Sequence, residues 1–357
     1  MKKSLVFLAA VAAMGGASAQ SSVSLYGIAD VAFGQFKSGV GAAETTNTKL
    51  ESSGLSSSRW GMKGSDDLGG GLKAEFVLEA GMNVDTGAQK AAGVAFDRVA
   101  TVGLSGSFGA VALGRQALPY DSLWGDANNT FDNKLMNPTK SVWLSNTDVA
   151  KYKDRGDNAI VFKSAKYGGF SGSVGLALGE NKGKGVGGVE LGADQVLSMQ
   201  ARYADGPLMV GFGYQTQKSQ NAATTLLSAS SGNTSYMLMT GSYDLGMAKL
   251  IAGYNQTKRD ATINVKEASD DQFQVGVDIP LSSTAKVGIG YATSKGDVIS
   301  SNATSGKKGS GFSVVGVYDL SKRTTLYGGL LNTKAENAAG VEIDKSTAFA
   351  GGIRHKF

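Results

Sequence analysis

The sequence predicts an all-β fold, a sixteen-stranded antiparallel transmembrane β-barrel, and three observations carry that prediction. Apolar and polar residues alternate with period two in about sixteen segments, the signature of strands with two unlike faces. The connections between segments alternate between short and long, as in barrels with turns at one rim and loops at the other. The face opposite the apolar one carries more Lys, Arg, Glu and Gln than the core of a soluble sandwich tolerates, because unpaired buried charge is costly.

The N-terminus is expected to be removed. Lys2 and Lys3 precede an apolar run from Leu5 to Met14 and small residues ending Ala17-Ser18-Ala19, the layout of a secretory signal peptide over 1–19. The run is too short to span a bilayer, and Gln20 is the expected mature terminus. Losing two lysines lowers the formal charge from +5 to +3, too weak an excess to suggest nucleic acid as a partner. An exported chain without cysteine draws no stability from disulfides. The 51 glycines are about twice the usual share and prolines number only four, which suits closely approaching, hydrogen-bonded strands and not disorder.

The first strand is predicted over 23–37, where Val23, Leu25, Gly27, Ala29, Val31 and Phe33 share one face and Ser24, Tyr26, Ile28 and Asp30 the other. The second, over 52–65, sets Ser58, Trp60 and Met62 against Ser57, Arg59 and Lys63. In the third, over 71–83, Leu72, Ala74, Phe76 and Leu78 oppose Lys73, Glu75, Val77 and Glu79. Strands follow over 95–105, 109–116, 157–164, 170–180, 194–205 and 207–219, the last with Val210 and Phe212 against Gly211, Gly213, Gln215 and Gln217. The remainder fall over 234–244, 246–259, 269–280, 285–296, 309–320, 324–335 and 345–357. Short turns are expected at 65–70, 106–108, 165–169, 205–206, 244–245, 281–284 and 321–323; polar loops are expected at 38–51, 180–193, 220–233 and 298–308. Tyr203, Tyr214, Tyr243, Tyr254, Tyr291 and Tyr318 stand at strand ends, where a lipid-facing band meets headgroups.

One interval breaks this rhythm. Residues 119–156 contain two prolines, Trp124, Trp143 and a scatter of Asp, Asn and Lys, and an insertion of that length counts against the strand assignment unless it is functional.

Several blocks carry a family resemblance. The terminal strand alternates Phe349, Gly351, Ile353, His355 and Phe357 with Arg354 and Lys356 and ends on an aromatic. With SVSLYGIADVAF, SSRWGMKGSDDLGGGLKAEFVLE, DRVATVGLSGSFGAVALGRQ and RGDNAIVFKSAKYGGFSGSVGLAL in that order, the chain resembles the general trimeric porins of the Neisseria–Burkholderia type from end to end. The resemblance implies a porin barrel over 20–357, a homotrimer in outer-membrane lipid, and a third loop, 117–156, folded inward as a constriction. It further implies passive diffusion of small hydrophilic or anionic solutes without a cofactor, and recognition of the terminal Phe357 by the barrel-assembly machinery.

In such porins wall arginines face acids on the third loop. By motif position Arg59, Arg98 and Arg155 match the wall arginines, and strand parity puts Arg59 with Lys63 on the polar face and Arg98 opposite Val99. Fixed guanidinium charge on one side of a pore favours anions. The plainer reading is that these arginines pair with nearby carboxylates. Lys63, Lys73, Lys153 and Lys163 could extend the positive path or simply be solvated, and Glu75 and Glu79 could offset it. Asp121, Asp126 and Asp132 are the candidate loop acids, with an ordinary turn role as the alternative for each; Trp124 and Trp143 are expected to pin the loop to the wall. Arg115 shares its face with Val111 and Leu113 and is assigned to a subunit contact.

Enzymatic readings fare poorly. The single histidine, His355, sits two residues from the end of the chain, which disfavours a Ser-His-Asp site, and one His without Cys disfavours a transition-metal site. The glycine cluster 183–188 has no following helix and is a surface loop, not a phosphate cradle. A substrate-specific anion or sugar channel and a non-transporting barrel for adhesion remain as alternatives.

Overall fold

The computed structural model describes residues 22–145, 149, 151–180, 183–184, 190–191, 195–220, 231–261, 267–297 and 306–357. The predicted signal peptide, most of the 183–188 cluster and most of the 220–233 and 298–308 loops lie outside these residues.

The first strands are β1 (Ser22–Ser38), β2 (Thr45–Ser52), β3 (Arg59–Gly69), β4 (Leu72–Gly81), β5 (Val99–Gly106) and β6 (Gly109–Ala117). Helices α1 (Pro119–Ala127) and α2 (Pro138–Ser145) follow, with a 3-10 turn at Thr130–Asp132 between them. The wall resumes with β7 (Arg155–Ser164) and β8 (Phe170–Ala177); β9 (Gly183–Lys184) and β10 (Glu190–Leu191) pair only with each other. It continues through β11 (Gln195–Asp205), β12 (Leu208–Gln220), β13 (Ser231–Asp244), β14 (Lys249–Arg259), β15 (Ala268–Pro280), β16 (Ala285–Gly296), β17 (Lys308–Asp319), β18 (Thr324–Glu336) and β19 (Glu342–Lys356).

Every neighbouring pair is antiparallel, and β1 closes the circle by pairing with β19 from Ile28↔Lys356 to Ser38↔Ser346. The lower half of β1 pairs with β3 and its upper half with β2, so β2 and β3 are two parts of one stave. The seventeen-stranded sheet is therefore a closed barrel of sixteen staves, as the alternation predicts. Closure leaves no sheet edge, so the backbone is satisfied without water, the condition for crossing a membrane with strands.

The faces sort inside out. Val23, Leu25 and Phe33 of β1, Val102 of β5 and Phe273 and Val275 of β15 are all more than half exposed, while Gln215, Gln272 and Ser198 are fully buried. Alternate residues of one strand thus meet opposite surroundings, with Leu, Val and Phe facing outward for lipid to cover. Tyr243, Tyr291 and Tyr318 stand exposed on this outer face.

Several boundaries differ from the sequence reading, among them the strand expected over 95–105, which begins at Val99. Half of the expected 38–51 loop is β2, and the expected strand 52–65 is interrupted by irregular backbone at 53–58. The interval 119–156 is not structureless: it forms two short helices that use Pro119 and Pro138 as their first residues, where proline's missing N–H costs nothing.

Candidate functional site: a basic cluster beside an inward loop

Glycines on the inner wall make room for the loop. A Cβ on Gly211 of β12 would stand 2.4 Å from Leu123 Cδ1, and one on Gly276 of β15 would stand 2.3 Å from Asn129 Cβ. Any larger side chain there would displace the loop, so the loop lies directly on the wall that Gly211 and Gly276 leave bare. Polar anchors hold it: Tyr120 Oη donates to Asn255 Oδ1, Asn129 Nδ2 to Gln274 Oε1 (2.9 Å), and Gln272 Nε2 to the Trp143 carbonyl (3.2 Å). Trp143 Nε1 donates to the carbonyls of Phe273 and Thr293, both at 3.2 Å. Around these bonds Tyr120, Trp124, Trp143, Tyr152 and Tyr236 pack into a buried cluster, with the Tyr120 and Tyr152 rings edge-on at 4.9 Å.

The stretch between the helices is locally strained. Thr130, Phe131 and Asp132 all have positive φ (51°, 62° and 52°), which L residues seldom adopt singly and here adopt in sequence. Asn133 compensates, donating to Thr130 O at 2.7 Å and accepting from Met136 N at 2.6 Å. The next residues dock on the β2–β3 interruption, where Lys134 N and Leu135 N both donate to the Gly54 carbonyl, at 3.1 and 2.9 Å.

The predicted wall arginines gather near that contact. Arg98 Nε stands 2.6 Å from Glu79 Oε1 and Arg59 Nε 3.4 Å from Glu79 Oε2, which also accepts from Tyr26 Oη at 3.0 Å. Arg155 Nε donates to the Arg98 carbonyl at 3.2 Å while its Nη1 meets Asp154 at 2.8 Å. Three guanidiniums thus share the neighbourhood of one inner-face acid. Arg59 is on the inner face as parity predicts, but parity does not place Arg98. The strand begins at Val99, which pairs with Glu79, and Arg98 reaches the acid from the bend before it. Lys63 follows Arg59 down the same face, its Nζ 5.4 Å from the centre of the Tyr26 ring.

The loop acids have partners of their own. Asp126 Oδ2 forms an ion pair with Arg202 of β11 at 2.9 Å, and Asp132 Oδ1 pairs with Lys140 at 2.5 Å and accepts from Asn128 at 2.7 Å. Asp121 accepts from Tyr152 Oη at 2.9 Å and lies within electrostatic reach of Arg155 and Lys134. Burial and the neighbouring Asp154 push the Asp121 carboxyl above its usual range; burial does the same to Asp126, against the pull of Arg202. Burial lowers the Lys140 ammonium to about 8 even with Asp132 beside it.

Sequence reasoning missed two cations. Lys90 and Lys134 border, with Arg98, Glu51 and a rim of serines, a recess of about 300 Å³. Lys134 comes from the 117–156 loop, where Lys153 is the cation expected to extend the positive path; its place two residues beyond the left-handed turn is legible only in coordinates. Lys90 lies in the connection between β4 and β5. Elsewhere, Arg115 on the outer face of β6 donates to the Asp97 carbonyl and pairs with Asp157, both through short bonds, and Phe357 exchanges two 3.1 Å backbone bonds with Gly27 and covers its Cα.

A closed barrel with an apolar exterior, a polar interior and a loop packed against its inner wall is a transmembrane channel of the bacterial outer membrane. A family profile described as Gram-negative porin matches residues 5–338, and the chain belongs to that family. It is 33% identical over 361 residues to the outer membrane porin protein 32 of Delftia acidovorans, spanning 99% of this chain and 95% of that one. It is 31% identical to an outer membrane porin of Bordetella pertussis over the full length of both. Among solved structures it is similar to an anion-selective porin from Comamonas acidovorans, with a TM-score of 0.78, 29% identity, and coverage of 95% of this chain and all of that one.

Proposed function

We propose that this porin passes small hydrophilic solutes by passive diffusion with a preference for anions, and that the passage between the wall cluster and the 117–156 loop is the selecting constriction. The carrying observation is the excess of fixed positive charge there: Arg59, Arg98 and Arg155 share Glu79 and Asp154, while Lys134 and Lys90 add to the same side beside Glu51, which is itself paired with Lys49. A guanidinium keeps its charge at any physiological pH, so the excess attracts anions and repels cations entering the same space. In this reading Asp121 supplies the opposing negative charge of the loop. Asp126 and Asp132, each already paired, hold the loop in place. That a similar solved porin is titled anion-selective supports the same choice.

The working form is a homotrimer in outer-membrane lipid, with Arg115 near the subunit contact, after export directed by 1–19 and assembly read from Phe357. Planar-bilayer recordings test the selecting role. Arg59→Ser with Arg98→Ser should move the zero-current potential in a KCl gradient toward the cation side; an unmoved potential would take these arginines out of the constriction.

A further inference from the structure

The interruption between β2 and β3 is organised by a residue to which sequence reasoning gave no role. Asp30 of β1 is fully buried and faces inward at the one place where β1 loses its neighbour, between the Ile28↔Arg59 and Val31↔Ser52 pairs. Six residues, 53–58, bulge away there and leave their own N–H groups without ladder partners. The Asp30 carboxylate takes three of them: Oδ1 accepts from Gly54 N at 2.9 Å, and Oδ2 from Leu55 N at 3.0 Å and Ser56 N at 2.6 Å. Tyr327 Oη of β18 adds a fourth bond to Oδ1 at 2.5 Å. The backbone of Asp30 holds the same turn, its carbonyl accepting from Ser53 N and Ser58 Oγ at 2.8 and 2.9 Å.

Both products of this capture point at the constriction. The Gly54 carbonyl, turned away from the carboxylate that binds its N–H, receives Lys134 N and Leu135 N. The Ser57 carbonyl, at the far end of the turn, accepts from Arg59 Nη1 at 3.1 Å. Leu55 from the turn and Met136 from the loop then share one buried cluster with Tyr327. A single carboxylate thus fixes the acceptor that seats the loop tip and the acceptor that aims Arg59.

We infer that Asp30 is a positioning residue for the constriction, acting through the 53–58 turn on both Lys134 and Arg59. The inference rests on the proposed selection by this cluster and adds the residue that sets its geometry. A site whose support is loosened stays present but loses precision.

The test uses Asp30→Asn and the milder Tyr327→Phe in the full chain, with refolded barrels checked by circular dichroism. In a KCl gradient the anion-to-cation permeability ratio of Asp30→Asn should fall by about twofold or more, with a smaller fall for Tyr327→Phe. The sign discriminates, because deleting a negative charge without disturbing positions would raise the ratio. Where Arg59→Ser itself moves the potential, a ratio that is unchanged or raised overturns the inference, and if Asp30→Asn does not fold, Tyr327→Phe decides it alone. A nitroxide on Lys134→Cys, in a chain with no other cysteine, reads the loop tip directly. Its spectrum should become more mobile in either variant, and an unchanged spectrum is equally fatal. If the tip is mobilised while Arg59→Ser leaves the potential unmoved, Asp30 still positions the tip and the selecting role of the arginines is what fails.

Discussion

Arg98 Nε lies 2.6 Å from Glu79 Oε1, which ties the bend before β5 to the inner face of β4 and sets a buried wall acid among the arginines. The same carboxylate meets Arg59, so one negative charge is spread over two guanidiniums and the cluster keeps a net positive charge.

Glu79→Gln should therefore raise the anion preference while weakening the barrel. The amide leaves Arg59 and Arg98 without an ionic partner, and because both are partly exposed to the lumen the cost should be about 1–2 kcal/mol, below that of a fully buried pair. Zero-current potentials and denaturant unfolding read the two effects separately; a fall in anion preference would mean that Glu79 orients the arginines more than it offsets them.

Gly276→Ala should disturb the loop without touching a charge. The new methyl would fall 2.3 Å from Asn129 Cβ, which is pinned by bonds to Gln274 and Val275, so relief requires moving the backbone of the loop. Overpacking of this kind costs about 1–3 kcal/mol, read as a lowered unfolding midpoint together with altered single-channel conductance. A variant with both values intact would show that the loop yields freely.

On the acid side, Asp121 should lose its charge at a higher pH than an exposed aspartate, because burial and Asp154 raise its carboxyl. Protonation removes negative charge near Arg155, so anion preference should increase as pH falls. Comparison with Asp121→Asn isolates this residue from the other carboxylates, since that variant should lack the part of the rise that comes first on acidification.

On the alkaline side the sign reverses. Lys140 is lowered to about 8, so raising the pH through that value removes its charge and leaves Asp132 unpaired and negative. Anion preference should drop across this window in the parent protein and stay level in Lys140→Met. Conductance titrations from pH 7 to 9 in the same salt gradient would register the difference.

The wall was legible in the sequence because its two faces meet different solvents, and period two survives in every stave that runs unbroken between lipid and lumen. What escaped was what breaks that period. The expected strand 52–65 runs straight through the serine-rich 53–58 stretch, and nothing local announces that Asp30, more than twenty residues earlier, would draw it out of the ladder. Arg98 was placed by parity, yet it precedes its strand and reaches Glu79 from a bend. The acids of the loop could be named but not assigned, since Arg202, which neutralises Asp126, comes from a strand far along the chain, and Lys140, which neutralises Asp132, is brought back only by the left-handed turn at 130–132. Pairings made by tertiary approach leave no spacing to read.

The zero-current potential of the unmodified protein across a planar bilayer, with KCl concentrated on one side, tests the central claim most directly. An excess of fixed positive charge at the constriction predicts the sign produced by chloride moving faster than potassium. A potential of the opposite sign would contradict it.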